Sequence, residues 1–391
     1  MKRVHFILYL FLLVTGCASP NLVPLNEGLL INEDEKMIWR QSLEEQKVLN
    51  GSGVILEDLA LQAYLNQIVR NLQPEDMSAR MSFNVLIVKD PHLNAFAFPD
   101  GTIYVHTGLL ARMDNEAQLA ALLAHEMAHC TQRHALQAYR SIKDRQAFMA
   151  SVQQTLARLA MVQEVARLLG LTGSLAAVTG YTREFETEAD IVGLDSMVMA
   201  DYDPFEALRL FKHLKAEIEY EQIKEPYFFG THPNVQARID TIRRVLETSY
   251  NDKPGRKKNT DVFISKVNRV ILENAELDLR MGRFRHARRG VHKYLQTAAY
   301  DARAYYLMGE IFRQRGREND TGKALSYYRK AVSIDPSYSE PHKAIGLIHF
   351  KDGHKALAKQ FFESCLRLAP DAPDKAYIQG YIKQCKEEGE G

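Results

Sequence analysis

His125 and His129, with Glu126 between them, form an H-E-x-x-H pattern that could bind a metal ion and support hydrolysis. Residues four positions apart share one face of a helix, so both imidazoles can reach a single metal. Glu126 could then act as general base on a water molecule at that metal. Zinc lowers the pKa of such a water to about 7, which makes hydroxide available at neutral pH. The pattern therefore predicts a hydrolytic zinc site.

A catalytic zinc needs a third protein ligand, and the acidic residues 183–190 offer candidates. Glu186 and Asp190 lie one helical turn apart on one face, and Glu184 and Glu188 share another face. One carboxylate could bind the metal, while an Asp one turn later could orient a ligating histidine. The alternative interpretation is the solvated acidic start of an ordinary helix.

Helical sequence patterns surround both segments. Helix formers occupy residues 116–139, and Asp114 is a plausible N-cap for this helix. A second helix is predicted over residues 182–200. Between them, an amphipathic helical region in residues 143–169 could form a lid over the cleft.

Short strands are predicted upstream of the first motif. Apolar and polar residues alternate in residues 83–88, and residues 94–98 and 102–106 flank a Pro-Asp-Gly turn. We expect these strands to form a small antiparallel sheet. The fold class is therefore α+β: a mostly helical zincin-type domain with a small sheet, followed by an all-α domain.

Composition limits the classes of protein that this chain can belong to. Its 391 residues are 46% hydrophobic, which is enough for two domains with their own cores. The formal net charge of +1 lacks the basic bias of nucleic-acid binders, so that class is set aside. The sequence contains no later stretch that is long and apolar enough to span a membrane.

The N-terminus has the features of a targeting segment. Lys2 and Arg3 precede a short apolar run in residues 4–14. The run ends in Val-Thr-Gly-Cys, which resembles the bacterial lipobox, so residues 1–16 are predicted to be a lipoprotein signal peptide and Cys17 the lipidated residue. Since Asp does not follow Cys17, the common sorting rule implies transfer to the outer membrane. An ordinary signal peptide is the alternative.

Three further cysteines follow. Cys130 is expected to be a small buried apolar residue. Cys365 and Cys385 lie in predicted helices near the C-terminus and could pair in an oxidising compartment, but the sequence leaves this open.

A polar stretch at residues 250–260 contains Pro and Gly and is interpreted as a linker between a domain at 17–249 and one at 261–391. After it the chain repeats a pattern of small and aromatic residues. The first copy has Gly309, Ala324, Tyr328, Ala331 and Pro336, and the second has Gly346, Ala358, Phe362, Cys365 and Pro370. This pattern resembles the tetratricopeptide repeat, with a weaker copy before it and a capping helix over residues 375–386. A generic helical bundle is the alternative.

Taken together, the motifs resemble the HtpX/BepA-like family of gluzincin zinc peptidases, which also includes a prenyl-protein protease, and the repeats extend the likeness to a BepA-like arrangement. The resemblance implies that Glu186 is the third zinc ligand and that Asp190 orients a ligand from behind. It also implies that His232, in Thr-His-Pro, approaches the metal to bind substrate, stabilise the oxyanion or fill the open position. A loop histidine near a helix start is the alternative for His232.

The same resemblance places a strand beside the cleft. It could bind an extended peptide by strand addition, and its residues are Asn94, Ala95, Phe96 and Ala97.

The function implied is a zinc metalloendopeptidase with one zinc per chain. His125, His129 and Glu186 would hold the metal, and Glu126 and His232 would be catalytic. We expect hydrolysis of unfolded or misassembled envelope proteins, in outer-membrane protein quality control. The protein would be lipid-anchored in the periplasm, with its repeats contacting the outer-membrane assembly machinery. The alternative is a periplasmic chaperone or assembly factor with a latent peptidase site.

Overall fold

The computed structural model describes residues 33–74, 81–141, 181–221, 232, 235–250 and 256–387. The predicted signal peptide (residues 1–16), the lipidation site Cys17, and the amphipathic region 143–169 lie outside these residues. Within the described ranges, no helix has the length and apolar character needed to cross a bilayer.

The N-terminal part of the described chain consists of helices around a small sheet. In chain order its elements are α1 (Glu33–Gly51), α2 (Leu59–Leu72), β1 (Asn84–Val88), β2 (Ala95–Ala97), β3 (Thr102–His106), α3 (Thr107–Arg112), α4 (Glu116–Thr131), α5 (His134–Ser141), α6 (Arg183–Met199), α7 (Phe205–Glu221) and α8 (Val235–Ser249). The expected α+β class is confirmed.

The sheet has the strand order β1-β3-β2 and is mixed. Strand β2 pairs with β3 in antiparallel fashion, but β1 pairs with β3 in parallel, so the expectation of an antiparallel sheet is wrong for that pair. The reason lies in the connection. The chain leaves β1, forms β2 at the far edge, and returns through the Pro99–Gly101 turn to insert β3 between them. Strand β2 runs opposite to β1, and β3 runs opposite to β2, so β3 lies parallel to β1.

Helix α4 lies in the centre of this part of the molecule and is buried over nearly its whole length. Its N-cap is Asn115, whose side chain accepts a hydrogen bond from the Gln118 N–H at 3.0 Å. The predicted cap, Asp114, is wrong. Its own backbone N–H donates to the Gln118 side chain at 2.9 Å, which places it outside the helix.

The predicted helix over residues 116–139 is interrupted. Helix α4 ends at Thr131, and Arg133 adopts a left-handed backbone with φ of 60°. Helix α5 then starts at His134. The buried side chain of Arg133 forms an ion pair with Glu35 of α1, and this contact holds the turn in place.

The C-terminal part of the chain is helical and repetitive. Its elements are α9 (Thr260–Arg280), α10 (Phe284–Leu295), α11 (Ala302–Arg315), α12 (Asp320–Ile334), α13 (Ser339–Lys351), α14 (Lys355–Leu368) and α15 (Lys375–Glu387). A Cβ at Gly309 would lie 2.4 Å from the Tyr328 ring, and one at Gly346 would lie 2.8 Å from the Phe362 ring. Each small residue therefore admits the aromatic ring of the paired helix, which explains why the pattern recurs.

Helix α9 belongs to both parts of the molecule. Its first half contributes Phe263 and Val267 to the core around α4, and its second half contributes Ala275 and Leu279 to the core of the repeats. Just before α9, the Lys257 backbone hydrogen-bonds with residues 201 and 203. The described end of the predicted linker is thus fastened to the first part. Residues 251–255 of that linker lie outside the described ranges.

The sequence left open whether Cys365 and Cys385 form a disulfide. Cys365 and Cys385 are buried in one apolar cluster, and no disulfide joins them. Cys130 is buried, as expected, and its thiol donates to the Phe98 carbonyl at 3.3 Å.

Candidate metal centre

Four buried side chains direct ligand atoms to one point: His125, His129, Glu186 and His232. Their ligand atoms all lie within 4.8 Å of one another. The Nε2 atoms of His125 and His129 are 3.0 Å apart, and His232 Nδ1 lies 3.3 Å from His125 Nε2 and 2.9 Å from Glu186 Oε1.

These separations suit a tetrahedral zinc ion. Zinc–ligand bonds of about 2.0–2.1 Å give tetrahedral ligand–ligand distances of about 3.3 Å. The distance from Glu186 Oε1 to His129 Nε2 is 3.5 Å, so the carboxylate also fits this edge length. Nitrogen and carboxylate donors are the zinc ligands of hydrolytic sites. The residues present therefore fit the metal that the sequence predicts.

Helices α4 and α6 bring the first three of these residues together. His125 and His129 occupy successive turns of α4, and Glu186 lies in the first turn of α6 after the N-cap Thr182. The two helices approach closely because a glycine lies between them. A Cβ at Gly193 would lie 3.2 Å from the His125 backbone nitrogen. Of the two carboxylate pairs considered above, α6 therefore directs Glu186 and Asp190 to the histidines.

Asp190 contacts His125 on the side opposite the cluster. Its Oδ1 lies 3.0 Å from His125 Nδ1, a contact that fixes the ring orientation and leaves Nε2 to face the other ligands. Burial alone would raise the pKa of Asp190, but Arg238 and His125 lower it to about 2. Asp190 is therefore an anion at neutral pH.

Arg238 of α8 is a buried residue of the site that the sequence patterns did not identify. Its guanidinium donates to Asp190 Oδ2 at 3.0 Å and to Oδ1 at 2.7 Å, and it lies 3.1 Å from Glu186 Oε2. It is buried on the same helical face as Ile239, Ile242 and Leu246. A charged residue at a core-facing position was the available signal, because such a group must meet a buried partner.

Glu126 lies next to the cluster, fully buried. Its Oε1 is 3.5 Å from His232 Nε2, and among the described residues no donor reaches this oxygen with hydrogen-bond geometry. A buried carboxylate oxygen needs a partner, so this atom is placed to accept a hydrogen bond from a water or a substrate at the centre. That position suits a general base.

Within the cluster, the pKa values of His129 and His232 are shifted in opposite directions. Burial and the neighbouring His125 and His232 lower the pKa of His129, so this ring is neutral and can donate a lone pair to a metal. Burial would also lower the pKa of His232, but the carboxylates of Glu186 and Glu126 raise it. His232 therefore lies between two negative groups, one on each side of its ring.

Two further aromatic residues surround His129. The His134 ring lies 2.8 Å from His129 Nδ1 and also contacts Glu188 at 3.2 Å, so it supports the ligand from behind. Tyr181 stacks on His129 with a centroid distance of 3.9 Å. The other acidic pair predicted on α6 therefore lies away from the cluster: Glu188 faces His134, and Glu184 is exposed.

Strand β2 lies at the edge of the sheet, as the family resemblance implies. The His106 N–H donates to the Asn94 carbonyl and the Phe98 N–H to the Thr102 carbonyl, so alternate residues of β2 bond to β3. The backbone groups of Ala95 and Ala97 therefore point away from β3, towards the sheet edge. Helix α4 packs on β2, and Ala97 of β2 lines the same small pocket as His129 of the cluster.

The comparisons with known proteins agree with this architecture. Residues 58–246 match peptidase family M48, and residues 302–338 and 344–372 match the tetratricopeptide repeat. The chain carries a peptidase family M48 domain followed by tetratricopeptide repeats. The M48 match spans both α4 and α6 and the described residue His232, so the cluster lies within the matched segment.

Curated relatives match the same region. The beta-barrel assembly-enhancing protease of Escherichia coli is 30% identical over 204 residues, which are 50% of this chain and 41% of that protein. The putative beta-barrel assembly-enhancing protease of Vibrio cholerae is 28% identical over 223 residues, or 55% of this chain and 45% of the relative. The mitochondrial metalloendopeptidase OMA1 of Schizosaccharomyces pombe is 31% identical over 183 residues, or 47% and 52%.

The matches span about half the length of these curated relatives, or less. Within that span, the family and the names of the relatives support a metalloendopeptidase.

Proposed function

We propose that this chain is a zinc-dependent metalloendopeptidase with one zinc ion per chain. The observation that carries the proposal is the convergence of His125, His129 and Glu186 at tetrahedral edge lengths, with the buried Glu126 beside them. The M48 match over residues 58–246 supports it independently.

In this proposal each residue has a defined task. Bound zinc supplies a Lewis acid that polarises the scissile carbonyl and acidifies water. Glu126 accepts a proton from the attacking water and passes it to the leaving amine. Asp190 holds His125 in one orientation, and Arg238 holds both Asp190 and Glu186. Strand β2 binds the substrate backbone at its edge, so recognition depends on extended conformation more than on side chains.

The first test measures zinc content and casein cleavage of the mature fragment, for wild type and Glu126→Gln in parallel. We expect one zinc per chain in both proteins and cleavage only by wild type, because the variant keeps the ligands and loses the base. The loss of a general base costs about 10²–10⁴ in rate. Absence of zinc from the wild-type protein would contradict the proposal.

A second candidate function is a chaperone or assembly factor with a latent peptidase site. The contact that favours it is His232 Nδ1, which lies at ligand distance from both Glu186 and His125. A fourth protein ligand fills the position that a catalytic zinc leaves open. If this latent state exists, His232→Ala should cleave casein faster than wild type while its zinc content equals that of wild type. Unchanged or lower cleavage would contradict the latent state.

We propose that the substrates are unfolded or misassembled proteins of the bacterial envelope. The lipobox-like sequence before Cys17 and the names of the bacterial relatives support this placement. Lipidation at Cys17 would anchor the protein in the periplasm, at the outer membrane. Labelling cells with a palmitate analogue should mark wild type and not Cys17→Ser, and the variant should leave the membrane fraction.

The repeats are proposed to dock a partner, with the outer-membrane assembly machinery as the candidate. Tetratricopeptide arrays present concave surfaces that suit protein contacts. A photo-crosslinker at the exposed Tyr300 would test this in cells. Crosslinks to a component of that machinery are expected, and their absence alongside crosslinks to other proteins would contradict the choice of partner.

A further inference from the structure

A small pocket lies directly beside the histidine cluster, and the proposed mechanism gives it no role. One wall is the ligand His129 with the stacked ring of Tyr181, and another is the end of β2 at Ala97 and Pro99. Leu136 of α5 and Trp39 of α1 also line the pocket. The pocket therefore touches both the metal centre and the strand edge.

The backbone of Ala97 connects this pocket to peptide binding. Its N–H and C=O point to the sheet edge, so a peptide added to β2 would run past Ala97 and the cluster together. Side chains of an extended peptide alternate between two faces. One residue next to the scissile bond would therefore direct its side chain between Trp39 and Tyr181.

We propose that this pocket is the specificity subsite of the peptidase and that Trp39 limits it to small side chains. The inference rests on the proposed function. The pocket volume is about 10 Å³, which is about the room for one water molecule. Glycine, alanine and serine fit such a space with small adjustments, whereas leucine or phenylalanine would have to displace the wall.

The Trp39 wall is held firmly by contacts along α1. Glu35 forms a buried ion pair with Arg133, with one contact of 3.0 Å. Farther along, the Gln46 side chain donates to Asp100 at 2.8 Å, and the Tyr104 hydroxyl donates to Asn50 at 3.0 Å. Helix α1 is therefore fastened to the α4–α5 turn, to the β2–β3 turn and to β3. A wall with these ties does not move aside easily for a large side chain.

The charges at the pocket also favour a small neutral side chain. Glu35 and Arg133 are its charged lining residues, and they neutralise each other. The remaining lining around Trp39 consists mainly of apolar and aromatic groups, so a charged substrate side chain would lose its hydration without gaining a partner.

The test compares cleavage sites in denatured casein, mapped by mass spectrometry, for wild type, Trp39→Ala and Leu43→Ala. Leu43 lies one turn after Trp39 on α1, is 48% exposed and does not line the pocket, so it is the matched control. Wild type should cleave beside small residues. Trp39→Ala should raise the relative kcat/KM for large apolar residues at one position by about tenfold or more, and Leu43→Ala should match wild type.

Since Trp39 is the chain's one tryptophan, its fluorescence provides a readout without turnover. Zinc-loaded Glu126→Gln is titrated with a labelled, Trp-free alanine peptide, and binding is followed by label anisotropy. Binding should shift the Trp39 emission. Binding without a shift, or an unchanged cleavage profile in active Trp39→Ala, would overturn the subsite alone. Failure of wild type to cleave casein would overturn the proposed function and the subsite together.

Discussion

The metal centre and the junction between the two parts of the chain both bury ionisable side chains, but they balance charge in different ways. At the junction, Arg112 lies 3.3 Å from Glu217 and 3.1 Å from Asp278. His286 and Arg289 contact the same Glu217. Each carboxylate there faces a guanidinium from another helix, so the junction is neutralised by side chains alone.

The metal centre differs because its ring nitrogens face one another. His125 Nε2 and His129 Nε2 are 3.0 Å apart, and His232 Nδ1 is within 3.3 Å of the first. Lone pairs at this separation repel unless a proton or a cation lies between them. Arg238 balances Asp190 and Glu186, and its guanidinium also lies 3.0 Å from His125 Nδ1 and 3.2 Å from His125 Nε2. A buried cluster with facing imidazoles thus indicates a metal site, whereas one with paired arginines indicates a structural contact.

Removing the metal should have the largest effect on stability. We expect a chelator to lower the free energy of unfolding of wild type by about 4 kcal/mol, relative to a solution with free zinc at 1,000 times its Kd. His129→Ala should bind zinc poorly and show little change with chelator. Urea unfolding with and without chelator measures this. An equal chelator effect in both proteins would place the metal elsewhere.

Breaking the junction should have the next largest effect, with no change in zinc affinity. Arg112→Ala leaves Glu217 and Asp278 buried without this partner, and such a loss costs about 3 kcal/mol or more. Arg243→Ala breaks an exposed pair with Asp240 and should cost about 1 kcal/mol or less. The same urea experiment compares the two variants. Similar costs for both would mean that the stability of the junction does not depend on Arg112.

The sequence predicted which side chains of α4 face the cluster but not the contacts that support them. The H-E-x-x-H spacing identifies His125 and His129 because helical periodicity is local. The position of Arg238 in the site was not predicted, because an isolated arginine in the sequence does not show which buried carboxylate it pairs with. The ion pairs of the junction were not predicted for a similar reason, because Arg112 lies 105 residues from Glu217 and 166 from Asp278 in the sequence. Strand direction in the sheet also depends on pairing between separate segments, such as Asn84 with Thr102, which the alternation within one strand does not encode.

Changing the orientation of a ligand should have a smaller effect than removing the metal. Asp190→Asn keeps the shape of the side chain but weakens the contact with His125 Nδ1. Loss of such a supporting contact lowers metal affinity by about 10–100-fold. Competition with a zinc chelator measures this, and Glu184→Gln, on the exposed face of the same helix, should match wild type. A zinc affinity equal to wild type in Asp190→Asn would show that Arg238 alone orients the centre.

The smallest expected effect is a pH dependence at the junction, through Lys293 of α10. Burial, with the nearby Arg112 and Arg289, lowers the pKa of Lys293 to about 8, although Asp114 opposes the shift. An unfolded lysine has a pKa of about 10.4. Between these values the unfolded state holds a proton that the folded state releases, so stability rises with pH. The gain from pH 7 to pH 9 is about 1 kcal/mol. Lys293→Met should lack this gain when the free energy of unfolding is compared at both pH values. An identical rise in the variant would assign the pH dependence to another group. The stability of the junction would then not change at alkaline pH, as expected if only its guanidinium–carboxylate pairs stabilise it.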